Sequence, residues 1–173
     1  MTSVGSLNRA SDLLVFAIDD RRYGLPAAAV VELHRSVAIS PLPQPESSHL
    51  LEGVVDYHGQ MAAVIDMRAR FGHGHKPLAA SDYFIFVRVD GNLLALRADK
   101  VLEIVNAPVE ALTFMAAPAN IPNQGHSVAG VCKLADGLVF IFDLQNFLNA
   151  TESLDISQQL ALALKLQEGE GEP

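Results

Sequence analysis

In the stretch EGVVDYHGQMAAVIDMR, residues 52–68, Asp56 and His58 stand two apart. On a strand, that spacing projects both side chains from one face. Asp66, across a hairpin bent at Gly59, completes a carboxylate–imidazole–carboxylate set able to move a proton or hold a metal. A second copy of the segment argues against that chemistry. It carries Lys133 and Ala135 where the first has Asp56 and His58, and keeps only Asp143 in the place of Asp66. An Asp repeated without its partners points to a structural task, such as capping the short segments MRARFG and LQNFLN that follow. A small hydrolase or metal enzyme using Asp56, His58 and Asp66 is the weaker reading.

Other candidate chemistry is thinner still. GHSVAG (125–130) resembles a serine elbow only in part, because a strand follows it where an elbow needs a helix. In FGHGHKP, His73 and His75 could clip a metal, yet two ligands do not make a zinc site and a Gly-rich surface loop is expected. Glu32 and Glu103 recur at matching places, each behind two apolar residues. They are either edge charges that discourage strand pairing or polar anchors beside a contact patch. There is no phosphate-binding Gly-rich loop and no catalytic triad pattern. No catalytic residue, cofactor or metal is expected.

The elements that would position these residues come from an internal repeat. Shifted by 71 places, VFAIDDRRYGLPAAAVVEL lies over FVRVDGNLLALRADKVLEI, pairing Asp19 with Asp90 and Glu32 with Glu103. Shifted by 77, Gly53 falls on Gly130 and Asp66 on Asp143. Each copy reads as four or five short strands: apolar, β-branched and aromatic runs broken at Asp19-Asp20, Gly59, Asp90-Gly91-Asn92 and Asp136-Gly137. That number suits a small closed barrel. A barrel of about 65 residues is marginal alone, so two of them should share an apolar seam. After the repeats, ISQQLALALKLQ (156–167) is rich in helix formers and reads as a C-terminal helix, with EGEGEP beyond it as a disordered acidic tail.

Composition narrows the function classes. Of 173 residues, 50% are hydrophobic and 18% charged, a surplus of apolar side chains that favours a partner interface. The net charge of −8 argues against nucleic acid. The single Cys132 permits no intrachain disulfide and fits a reducing compartment, with Cys132 itself a small buried hydrophobe. MTSVGSLNRASD has no apolar core of signal-peptide length and no run approaches about 18 consecutive apolar residues, so neither a signal peptide nor a membrane span is expected.

VVELHRSVAISPLPQPESSHLLEGVVDYHGQMAAVIDMRARFG, together with GLVFIFDLQNFL, resembles the signature of CheW-like domains over about residues 13–149. The resemblance implies an all-β fold: two pseudo-repeated five-stranded β-barrels (SH3/OB-like) on a shared core, with short helices. It implies a flexible N-terminus at 1–11 and the domain at 12–150, with repeats at about 13–82 and 83–150 and strand exchange between the barrels left open. Residues 151–173 then form the C-terminal helix and tail. It also implies a non-enzymatic cytoplasmic adaptor without cofactor. Such an adaptor couples the cytoplasmic tip of chemoreceptors to the regulatory domain of a CheA-type histidine kinase, at arrays on the inner face of the membrane. A parallel, non-flagellar pathway fits equally, as does a sequestering module of the same fold. Residue by residue, Glu32, Gly59 and Arg68 match the family pattern, while Asp56, Tyr57 and His58 replace its Asn-Leu-Arg. These six are the expected protein-binding residues. At position 58 an imidazole replaces a permanent bidentate donor, a change that bears on partner choice.

Overall fold

In the computed structural model, residues 11–42, 50–114 and 128–170 are described. Eleven strands follow in chain order: β1 (Ser11–Ile18), β2 (Arg21–Pro26), β3 (Val30–Arg35), β4 (Leu51–Tyr57), β5 (Gln60–Asp66), β6 (Tyr83–Val89), β7 (Asn92–Ala98), β8 (Lys100–Ala107), β9 (Leu112–Phe114), β10 (Val128–Leu134) and β11 (Gly137–Phe142). A one-turn helix α1 (Met67–Arg70) follows β5, and α2 (Ala150–Glu170) closes the chain.

The strands form two sheets, ordered β8-β1-β2-β11-β10-β9 and β3-β6-β7-β5-β4. Each closes on itself through one bent stretch of chain. In the first, β8 turns through residues Val109–Ala111 into β9, which pairs with β10 at the other end. In the second, the chain beyond β3 pairs back onto β4: Ser40 and Val54 exchange both backbone hydrogen bonds at 2.9 Å.

Neither sheet is built from one repeat. The opening hairpin of the first copy, β1–β2, joins the second copy's strands, and β6–β7 joins the first copy's. Parallel pairing fixes each exchange, β2 against β11 and β5 against β7. After Pro26, a 3₁₀ turn at Ala27–Ala29 carries the chain out of one sheet and into the other. The exchanged strands are buried on both faces, which explains their continuous apolar runs. Along β1, Leu14, Phe16 and Ile18 enter the shared core while Leu13 and Val15 fill one barrel. Along β6, Ile85, Val87 and Val89 enter the shared core while Phe84 and Phe86 fill the other. Cys132 sits in the first barrel's interior, where burial pushes its thiol pKa up.

The C-terminal helix is longer than its sequence suggests. It begins at Ala150 rather than 156, because Asn149 and Glu152 form a reciprocal cap: Asn149 N–H donates to Glu152 Oε1 and Glu152 N–H to Asn149 Oδ1. It also runs through Gly169 to Glu170, so residues 168–170 are helical rather than a disordered tail. Ile156, Gln159 and Ala163, at helical spacing, face the core. Ser153 and Ser157 hydrogen-bond Asp90 and Asn92 at the β6–β7 turn.

Candidate protein-binding site

Barrel closure brings β3 against the β4–β5 turn, the two ends of the five-stranded order. Tyr57 and Gln60 pair across that turn, with His58 (φ 50°) and Gly59 (φ 86°) at its tip. Two positive φ values in succession match the hairpin twist and favour Gly at the second place. The turn aims Tyr57 and His58 at β3. There the Glu32 carboxylate accepts a short hydrogen bond from the Tyr57 hydroxyl. His34 Nε2 lies 2.9 Å from Glu32 Oε1, and His58 Nε2 lies 3.5 Å from Oε2. The Tyr57 ring packs on Phe86 and on the edge of His58, each at 4.6 Å between centroids. The hydroxyl bond holds the Glu32 carboxyl below its usual pKa, with desolvation opposing it and the two imidazoles assisting. The same bond pushes the Tyr57 phenol up.

Glu32, Tyr57, His58 and Gly59 therefore share one patch, with Asp56 exposed beside it. Arg68 does not belong to it. It is 6% exposed, and its guanidinium is spent on the fold: Nη2 to Asp19 at 2.8 Å, Nη1 to Asp99 at 2.9 Å and Nε to the Gly74 carbonyl at 2.6 Å. The Arg68 hydrogen bond is the main reason the Asp19 carboxyl sits below its usual pKa. His73 completes this network, with Nε2 2.7 Å from the Tyr23 hydroxyl and Nδ1 3.2 Å from Asp19. His73 is thus a pin between loop and barrel, while His75 points to solvent.

The set of Asp56, His58 and Asp66 is not assembled. Asp56 pairs with Met61 near the turn, whereas Asp66 lies five residues further along β5, about 17 Å at strand rise. His58 occupies the turn and does not share a strand face with Asp56. Asp66 is buried and caps α1, accepting from Arg68 N–H at 3.0 Å and Ala69 N–H at 3.3 Å. Asp143 holds the matching position in the second copy, accepting from the Asn146 side chain at 2.7 Å. Of GHSVAG, residues 125–127 lie outside the described residues, and 128–130 open β10.

The chain matches the family model of the CheW-like domain over residues 12–152. It belongs to the CheW-like domain family. Protein FrzA of Myxococcus xanthus is 26% identical over 153 residues, spanning 88% of this chain and 90% of that one. The crystal structure of the scaffolding protein TtCheW from Thermoanaerobacter tengcongensis superposes with a TM-score of 0.72 at 26% identity, covering 83% of this chain and 97% of the other. Its family and its structural neighbour TtCheW are scaffolding proteins rather than enzymes. Among its described residues, no helix is long and apolar enough to cross a membrane.

His34 was not distinguished by sequence reasoning. Its signal was the Glu-x-His spacing on β3, which puts Glu32 and His34 on one strand face. The CheW-like repeat also exposes matching apolar pairs: Val31 and Leu33 on β3, Leu102 and Ile104 on β8. Among the described residues, β3 and β8 each pair with one named strand, and these four side chains are exposed to solvent.

Proposed function

We propose that this protein is a cytoplasmic adaptor that couples chemoreceptors to a CheA-type histidine kinase. The family match over residues 12–152 carries the reading. Two surfaces support it. The patch of Glu32, Asp56, Tyr57, His58 and Gly59 meets the receptor tip, and the exposed pair Leu102 and Ile104 meets the kinase regulatory domain. Ile104 is 61% exposed, a large apolar side chain whose burial needs a partner. The family resemblance to FrzA, with His58 in place of the usual Arg, favours a pathway distinct from the main flagellar one.

The receptor surface is tested at His58, which touches neither barrel interior. His58→Glu sets a second carboxylate beside Glu32 on the patch. Receptor-tip binding, read by pull-down, should fall at least roughly tenfold, the loss expected when like charge faces a matched surface. The thermal midpoint should stay within about 4 °C of wild type, since an exposed pair contributes only about 0–1 kcal/mol. Unchanged binding would remove this patch from the receptor interface, and a large midpoint drop would make His58 a structural residue.

A further inference from the structure

We infer that Glu32, His34 and His58 form a binding site for a divalent metal ion of the zinc class. Among the described residues, this is a group of His and carboxylate side chains whose ligand atoms all lie within 4.8 Å of one another. The contacts are more specific than proximity. Both imidazoles turn Nε2 toward the same carboxylate, at 2.9 and 3.5 Å. Tetrahedral zinc with bonds near 2.0–2.1 Å holds its donors roughly 3.3 Å apart. His34 Nε2 is near that spacing from Oε1 and His58 Nε2 from Oε2, so a small turn of the Glu32 carboxylate would let one oxygen serve with both imidazoles. Two imidazole nitrogens with one carboxylate suit zinc, copper or nickel, whereas magnesium and calcium prefer oxygen throughout.

The frame around the donors is fixed. Tyr57 donates to the Glu32 carboxylate and orients it, as polar neighbours of metal ligands do. His34 packs edge-on to Phe86, and His58 is carried on a two-residue turn against the Tyr57 ring. Glu32 and His34 come from β3 and His58 from the β4–β5 turn, so the ion would bridge the two ends of the five-stranded order where the barrel closes. Three protein donors leave a fourth position to water. The ligands are partly exposed, so the ion would exchange with solvent and would not be needed for folding. This inference does not depend on the adaptor reading.

The test adds zinc sulfate to the metal-stripped full chain and reads binding by titration calorimetry and thermal midpoint. One equivalent should bind with a Kd of roughly 10 μM or tighter, raising the midpoint. His34→Gln and His58→Gln should each weaken binding at least tenfold, and His75→Gln should bind as wild type. Cobalt(II) added to wild type should give the absorption of a four-coordinate site, a readout that depends on no variant's folding. No saturable binding below about 100 μM, or binding that survives both His substitutions, would overturn the site.

Discussion

Replacing Arg97 by Ala should destabilise the protein by about 3–5 kcal/mol, the usual consequence of stripping the cation from a buried ion pair. Arg97 lies on β7 and is 3% exposed. Its guanidinium fans out in three directions: Nε to Asp82 at 3.1 Å, Nη1 to Glu52 at 2.5 Å and Nη2 to the Lys76 carbonyl at 2.7 Å. It ties together β7, the start of β4 and the loop leading to β6. Without it, Asp82 remains at 2% exposure and Glu52 mostly buried, two carboxylates with no cation between them. Lysine keeps the charge but cannot make three divergent bonds, so Arg97→Lys should recover only part of the loss. At about 2–4 °C per kcal/mol for a chain this size, the midpoint should fall roughly 10 °C.

The deficit should also depend on pH. Burial raises the Glu52 pKa, and Arg97 is the main group opposing that rise. An acid whose folded pKa is raised destabilises the fold above its ordinary pKa, and the penalty fades as pH falls through the folded value. Removing Arg97 raises that value further. The gap between Arg97→Ala and wild type in urea melts should therefore narrow from pH 7 toward about pH 5. A gap below about 1 kcal/mol at pH 7 would show the pair to be dispensable.

Gly53→Ala should do comparable damage by a steric route. Gly53 has φ 153° and lies at the β4 register shift between Leu51 and Gly53. A Cβ there would stand 2.4 Å from the Ser40 carbonyl oxygen and 2.6 Å from Ile39 Cγ2. The oxygen is backbone, and it accepts the Val54 N–H bond that helps close the barrel. It cannot yield without loosening that closure. Backbone strain and overpacking, about 1–3 kcal/mol each, together make a loss of roughly 3 kcal/mol or more. Gly59→Ala is the control: φ is 86° but no atom lies within 4 Å, so strain alone should cost about 1–2 kcal/mol. Equal midpoints for the two variants in thermal melts would refute the packing argument.

The sequence made the strands and their turns legible, because the apolar runs and breaks at Asp19, Gly59, Asp90 and Gly137 are local signals. Asp66 was legible as a cap because Asp143 repeats it without Asp56 or His58. Pairing partners were less so. Both opening hairpins are apolar on both faces, and nothing in that pattern says which barrel each will join. Within the candidate site, Glu32, Tyr57 and His58 were found through motif positions, but His34 was not, since its contacts depend on barrel closure. Arg68 failed as a surface residue for a related reason. Its partners Asp19 and Asp99 lie 49 and 31 residues away, and only the exchanged β1–β2 and β7–β8 turns bring them to it. The early start of α2 was encoded at Asn149 and Glu152, a cap more visible once the helix is known.

The central claim, that this chain is a kinase-coupling adaptor, is tested most directly by binding to the regulatory domain of the CheA-type kinase from the same organism. Titrated by calorimetry, wild type should form a 1:1 complex with a Kd in the micromolar range or tighter. Ile104→Glu, which buries an unpaired charge in the proposed contact, should weaken it at least roughly tenfold without lowering the thermal midpoint. Absence of binding to every such regulatory domain of that organism would contradict the account.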